Sequence, residues 1–586
     1  MTSFTYGTMP EHFVEIPDSS NPGQVKRPAA GIALTLTDAV TLGAVTGLKT
    51  LGGTTISSVL TTDYGYFGFL CDSATVNVSA DGGTTIKQLF GVEAIEAAIT
   101  GGSSAGTANA ALTAANAATA AVAVVASQLS PAPTLTQHTA SAPFYVAHRG
   151  CGDERPEHTL LAYKDAVASG ARAVEVSVQT TADGQVFCMH DLTLDRTSTL
   201  SGNGNVAAWR NLLFNGAIDI GATMIGPACP NQPFGLLRDV LQEVSDNTLI
   251  FLEPKDASAA SVAAIMAVLA KFPRAKIVWK CASVTTTGGQ PGHAFAAQAA
   301  GYPTWVYLSD TDSDAAITLT ASQADMIGIP SGATPSYISH AVSLAAAQGA
   351  LVMCWEVHRR SQVAALSALG VAGMMCSGMT YCTRTTAMAT ATAWGTGIRA
   401  HGEIPHDDFN SNLNWPVIST ANRSVTLRAS NKSLLLGSLC PVANAAGTYT
   451  ITFALRYPTL PATLTNHADF VFARPDDSIY YFQATTNTVG GYHLIIRGNG
   501  QLGLYKHDPL SGTSTQLGST ITTATPVAGA WMTFSVAVTP TNLTAQRTDD
   551  GSSAISVANS AYRGGYMQLN TASSDVAVEY RDVVIS

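Results

Sequence analysis

The stretch Phe144-Tyr145-Val146-Ala147-His148-Arg149-Gly150 is an apolar, strand-like run that breaks into a histidine, an arginine and a glycine. The pattern recurs downstream. The runs around Val174-Glu175-Val176, Val186-Phe187-Cys188-Met189-His190-Asp191 and Leu252-Glu253-Pro254-Lys255 each carry a chemically competent side chain at or near their ends. A (β/α)8 barrel keeps its active site at the C-terminal ends of its strands, so the recurrence reads as a barrel with its site on that face.

Residues 141–395 alternate strand-like and helix-like segments. The strand candidates are 144–148, 173–179, 186–190, 249–255, 276–281, 304–308, 325–330, 351–357 and 371–376. That is one too many for the barrel. Thr180-Thr181-Ala182-Asp183-Gly184 forms a tight turn after the second candidate. It is too short for a parallel crossover, so 186–190 is expected to fold back antiparallel. Eight parallel strands remain, the TIM-barrel count, with 191–248 as an elaborated loop over the mouth.

The flanks read differently. In residues 1–100 the runs 33–37, 54–60, 64–70 and 75–79 lie between Gly and Asp turns and predict a small β-sandwich. Residues 101–140 hold an Ala-rich tract, 107–129, which is either a self-associating neck helix or a flexible linker. Residues 402–586 return to β structure. The runs 448–456, 478–484, 492–497, 502–506, 531–538 and 576–585 suit a two-sheet sandwich.

A chain of 586 residues is too long for one core. Only 12% of it is charged, against a usual ~25%, which favours packing of subunits against each other. The net charge of −10 comes without a basic stripe, which argues against nucleic acid as a partner. Nine scattered cysteines contain no CxxC pair, so zinc sites and a disulfide framework are not expected. Met1-Thr2-Ser3-Phe4-Thr5 lacks the basic-then-apolar order of a signal peptide. The tract 108–126 is too polar to span a bilayer.

Two histidines suit acid–base work, carboxylates suit a cation, and Arg and Lys suit a phosphate. Together they are the parts for cutting a phosphodiester. Glu175 and Ser177 stand two apart on a strand and so share a face, as do Glu253 and Lys255. An all-oxygen site suits Mg²⁺ or Ca²⁺. In the alternative, Arg149 and Lys255 simply pair with Glu175 and Glu253 in an empty site. Trp355 serves the core or a substrate-stacking wall, His358 the rim or core, and Asp191 a supporting or turn position.

Residues 143–380 resemble the glycerophosphodiester phosphodiesterase family. The resemblance rests on Ala147-His148-Arg149-Gly150, Pro156-Glu157-His158-Thr159, Val174-Glu175-Val176, Asp183-Gly184, His190-Asp191 with Arg196-Thr197, Leu252-Glu253-Pro254-Lys255, Trp355, and Gly370-Val371-Ala372-Gly373. It implies His148 and His190 as general acid and base. Arg149 and Lys255 would hold the phosphate, and Trp355 would line the substrate site. Glu175, the Ser177 position and Glu253 would hold the divalent cation. The family pattern has Asp where Ser177 stands, Asn at His158, and Thr-Asp at Cys376-Ser377.

Residues 33–80 resemble attachment domains of phage minor tail proteins, and the C-terminal part resembles a concanavalin- or laminin-G-like sandwich. These resemblances imply a virion tail protein, a homotrimer beside other tail proteins. Its target would be a host surface polymer with glycerol-phosphate linkages, such as a teichoic acid. The alternative is a non-hydrolytic barrel kept as a receptor-binding or structural module.

Overall fold

The structure is a computed structural model. It describes short segments between residues 4 and 90, and then residues 131–586 except 194–195, 199–231, 283–292, 388, 393–403, 406–415, 420, 429–432, 443–446, 479, 481–482 and 572–575. It divides into Met1–Ser130 and Pro131–Ser586.

In the first unit, Phe4–Tyr6 pairs with Phe69–Cys71 and Ile16–Pro17 with Val25–Lys26. Thr75–Ser79 pairs with both Thr35–Asp38 and Lys87–Phe90. Leu34, Leu36, Val59, Cys71, Val76 and Val78 form its core. Of the expected run at 54–60, the described residues 55–59 show an isolated bridge, Thr55 to Lys49, and no strand. Residues 64–68 of the next run and the Ala-rich tract lie outside the described residues.

The second unit opens with the barrel. Its strands are β1 (Phe144–Ala147), β2 (Ala173–Thr180), β3 (Val186–Cys188), β4 (Leu249–Pro254), β5 (Ile277–Cys281), β6 (Thr304–Tyr307), β7 (Met326–Pro330), β8 (Leu351–Val357) and β9 (Gly373–Cys376). All nine match the expected runs. β3 is the antiparallel one, paired to β2 across the Thr180–Gly184 turn. The other eight run parallel in the order β2-β4-β5-β6-β7-β8-β9-β1. The contact of Ala147 with Val174 closes the ring. Four of the crossover helices are capped by hydroxyls, as their sequences direct. Thr159, Ser258, Ser313 and Thr334 each accept a backbone N–H of the helix they precede. Part of the stretch expected as a loop over the mouth is one of these helices, Leu237–Val244.

Strand alternation then sorts the side chains. One set, including Val174, Val176, Ile250, Leu252 and Trp279, packs with helix residues such as Leu241 and Ile265. The opposite set fills the barrel interior with Phe144, Val146, Ala173, Leu249, Phe251, Val278, Trp305, Met326, Met353 and Met375. Gly328 is required here, because a Cβ would stand 2.3 Å from the Trp305 ring. Two residues further along each strand, the same inward face carries His148, Glu175, Glu253, Lys280, Tyr307, Trp355 and Ser377.

Among the described residues, the C-terminal region forms two seven-stranded antiparallel sheets. They face each other across the stacked rings of Phe453 and Phe470, whose centroids lie 4.5 Å apart. The strand expected at 478–484 is a correction: its described residues, 478, 480, 483 and 484, lie outside any strand. The strand is His467–Arg474 instead. Its polar His467 and Asp469 hide it from an alternation search, since both of its faces are buried. Asp469 pairs at 3.2 Å with the equally buried His493. Asp477 ties this region to the barrel. Its carboxylate accepts the backbone N–H groups of Arg360 (2.7 Å) and Ser361 (3.0 Å) and the Tyr381 hydroxyl (2.7 Å). It thereby satisfies the N-terminus of helix Arg360–Ala368, which has no serine or threonine cap of its own.

Candidate active site

The register of the strands builds the site. Glu253 on β4 stands directly beside Ser177 on β2. The Ser177 hydroxyl donates to Glu253 Oε2 at 2.9 Å. On the next strand, Lys280 Nζ meets Glu253 Oε2 at 2.8 Å and also bonds Glu175 Oε1. One ammonium thus bridges the two carboxylates, which places Glu175 and Glu253 around a common centre. Lys255 Nζ donates to Glu253 Oε1 at 2.6 Å. The backbone N–H of Arg149 donates to Glu175 Oε2 at 3.0 Å. Every oxygen of both buried carboxylates therefore has a donor.

Burial alone pushes Glu175 and Glu253 toward the neutral form. The Lys280 charge, joined by His148 at Glu175 and by Lys255 and His190 at Glu253, outweighs it and holds both below the ordinary carboxylate range. Burial likewise disfavours the Lys280 charge, but the two carboxylates prevail and raise its pKa.

The two histidines are each held by Nδ1. In His148 it lies 2.8 Å from the Ser377 hydroxyl, and Nε2 faces Glu175 and Glu356 at 3.5 and 3.6 Å. In His190 it lies 2.7 Å from Asp191, which also receives Arg196. His148 is buried, and burial lowers its pKa to about 4 despite the carboxylates nearby. Burial and then the Arg149 charge lower His190 as well. His190 is half-buried and, with Asp191, Leu192, Thr193 and Lys255, lines a cavity of about 430 Å³. Arg149 forks to Glu157 and Glu356. Trp355 meets Trp305 and Tyr307 edge-on at 5.9 and 5.5 Å and forms an aromatic wall.

All eight expected site residues thus gather at one end of the barrel. The alternative pairing is half present: Lys255 does pair with Glu253, whereas the Arg149 side chain goes to Glu157 and Glu356. Sequence reading missed Lys280, Glu356 and Tyr307. Lys280 was within reach of the alternation rule, standing two residues after inward-facing Val278. His358 joins the rim: Nδ1 is 2.7 Å from Asp153 and Nε2 3.4 Å from Glu356. Burial opposes its charge, but those two acids raise its pKa well above 6.5.

Residues 148–377 match the glycerophosphoryl diester phosphodiesterase family. The barrel carries a domain of that family. A probable glycerophosphodiester phosphodiesterase 1 of Mycobacterium tuberculosis is 56% identical over 63 residues, 11% of this chain and 23% of that protein. Glycerophosphodiester phosphodiesterase 1 of Bos taurus is 32% identical over 138 residues, 22% of this chain and 39% of that protein. The chain thus spans well under half the length of either relative. A phosphodiesterase of Oleispira antarctica, solved with sn-glycerol-3-phosphate, aligns at 18% identity and TM-score 0.34, over 41% of this chain and 95% of that one.

Enzymes of this phosphodiesterase family typically depend on a divalent cation. The donor set of this barrel does not fit one as it stands. Four carboxylate oxygens already accept protein donors, and Ser177 contributes a hydroxyl that donates rather than a charge. Among the described residues no group of three or more His, Cys, Asp or Glu is arranged to hold an ion. No described helix is long and apolar enough to cross a membrane.

Proposed function

We propose that the barrel hydrolyses phosphodiesters of the glycerol-phosphate type, with His148 and His190 exchanging the protons. The observation that carries this reading is the shared arrangement of the two imidazoles. Each is fixed at Nδ1 by its own partner, which leaves Nε2 for proton transfer beside Arg149 and Lys255. One imidazole takes the proton of the attacking hydroxyl or water, and the other protonates the departing alkoxide. Lys255, on the cavity wall, meets the phosphate charge, and Trp355 walls the substrate side. The relatives named as glycerophosphodiester phosphodiesterases support the reaction class.

The setting is read from the flanks and the low charge. We place the chain in a virion tail, as a homotrimer among other tail proteins, acting on a teichoic-acid-like polymer of the host surface. It takes no nucleic acid and does not insert into membrane. Mg²⁺ or Ca²⁺ is what the family resemblance implies as cofactor, and the donor set above leaves it no seat. A second reading, a non-hydrolytic receptor-binding barrel, draws support from that same donor set.

Purified full chain is expected to release glycerol phosphate from glycerophosphodiesters and phosphate-bearing fragments from teichoic-acid-bearing walls. His148→Ala and His190→Ala should each lose about 10²–10⁴-fold in rate while cell binding persists. Cell binding without any release, by the unsubstituted chain, would establish the second reading.

A further inference from the structure

We infer that Lys280 is a built-in cation of this barrel, seated between Glu175 and Glu253 where a divalent metal would otherwise bridge them. The inference rests on the phosphodiesterase reading for the nature of the substrate, an anionic diester, but not for the seat itself.

Three independent features place it. First, the position is set by the fold: β5 runs beside β4, and the inward face of β5 carries Val278 and then Lys280. Second, the seat is complete. Lys280 contacts one oxygen of each carboxylate, Ser177 donates to the same Glu253 oxygen, Lys255 takes the other Glu253 oxygen, and the Arg149 backbone takes the other Glu175 oxygen. A magnesium ion needs near-octahedral oxygen ligands at close range, and here each of the four carboxylate oxygens already accepts a protein donor, the donor shared by the two carboxylates being a cation. Third, the ammonium is backed by rings rather than water. It lies 5.0 Å from the Trp305 centroid and 5.4 Å from that of Tyr307. Cations over aromatic faces are stabilised in desolvated sites.

The charges agree with this placement. Lys280 and Lys255 balance Glu175 and Glu253. A dication added to that group would stand against two ammoniums instead of two free carboxylates. Ser177, where the family resemblance expects an aspartate, removes one negative charge at the same point. A lysine in place of a metal and a serine in place of an acid are therefore compensating changes: one cationic charge fewer is met by one anionic charge fewer.

The test is titration of the chelator-treated full chain with Mg²⁺, Ca²⁺ and Mn²⁺, followed by calorimetry and by the fluorescence of the tryptophans near Lys280. No saturable binding into the millimolar range is expected, and the same melting temperature with chelator as with metal. In Ser177→Asp/Lys280→Ala, saturable binding is expected to appear. Submillimolar binding by the unsubstituted chain, with a matching rise in melting temperature, would overturn the inference even should the double variant fail to fold. Hydrolysis of glycerophosphocholine is read separately. Turnover that persists in chelator supports the inference, and turnover that returns only with a saturably bound metal overturns it. A chain that binds no metal and also hydrolyses nothing defeats the phosphodiesterase reading while leaving the seat of Lys280 intact.

Discussion

The barrel interior has two storeys built by the same strands. The lower holds Phe144, Val146, Leu249, Phe251, Val278, Trp305, Met326, Met353 and Met375. The upper, two residues on, holds His148, Glu175, Glu253, Lys280, Tyr307 and Trp355. Both are largely buried, yet they are held by different physics. The lower storey is stabilised by removing apolar surface from water, a non-directional effect that tolerates exchange of one shape for a similar one. The upper depends on pairing, because an ion left without its partner in a dry interior cannot be rehydrated. A substitution that preserves volume should therefore be mild below and severe above.

Lys280→Met is the severe case. It keeps the length of the side chain but leaves Glu175 and Glu253 facing each other without their shared ammonium. Breaking a buried ion pair on one side costs about 3–5 kcal/mol, to be read from the urea midpoint. Adding Glu175→Gln and Glu253→Gln to the same chain should return part of that loss, since the repulsion goes with the charges. A cost below about 1 kcal/mol would mean that water reaches the upper storey and that its pairing is as weak as a surface salt bridge.

How much of this was legible follows from the same division. The strands were readable because each ends an apolar run, and the turn Thr180–Gly184 identified the one that had to run antiparallel. His148, His190, Glu175 and Glu253 were readable because polar groups at the ends of such runs need a reason. Lys280 was not singled out, since it sits within Val278-Trp279-Lys280-Cys281, where an isolated lysine reads as a strand-end charge. What makes it central is its neighbour across the sheet, and register between strands is not written in either strand alone. Glu356 stayed hidden for a similar reason: its partners Arg149 and His148 lie over 200 residues away in sequence. In the C-terminal sheets, His467–Arg474 escaped because its outer face buries polar groups, so that no clean alternation survives.

Burial of an ionisable ring beside the site also predicts a pH response. His158 is fully buried with a positive φ of 58°, and its Nδ1 lies 2.7 Å from the Tyr163 hydroxyl. Nε2 has no hydrogen-bond partner among the described residues. Burial, more than any charge, lowers its pKa to about 3, while an unfolded histidine titrates near 6.5. The unfolded chain therefore binds the proton first. The stability tied to the neutral ring is complete above about pH 6.5 and is lost progressively as the pH falls toward 3, on the order of a few kcal/mol. Asparagine accepts a positive φ better than most residues and carries no titrating ring. In His158→Asn the gap in melting temperature between neutral and mildly acidic buffer should shrink. An unchanged gap would assign the acid response to other rings lowered by burial, among them His148, His138 and His507.

Met326→Leu should have the smallest effect. Met326 is buried in the lower storey beside Trp305 and contributes only shape there. An exchange that conserves volume among apolar residues usually costs less than about 1.5 kcal/mol, and thermal denaturation with the site residues untouched measures it cleanly. The neighbouring inward position shows why volume is the operative variable in this storey. Gly328 has no room at all, so an alanine there would collide with the Trp305 ring, while Met326 fills its space with a flexible chain that leucine can match. Should Met326→Leu cost as much as Lys280→Met, the storeys would be coupled through Trp305, whose ring both packs the lower layer and backs the Lys280 ammonium. A double-mutant cycle between positions 326 and 280 would then show a large interaction term, where independent storeys give additive losses.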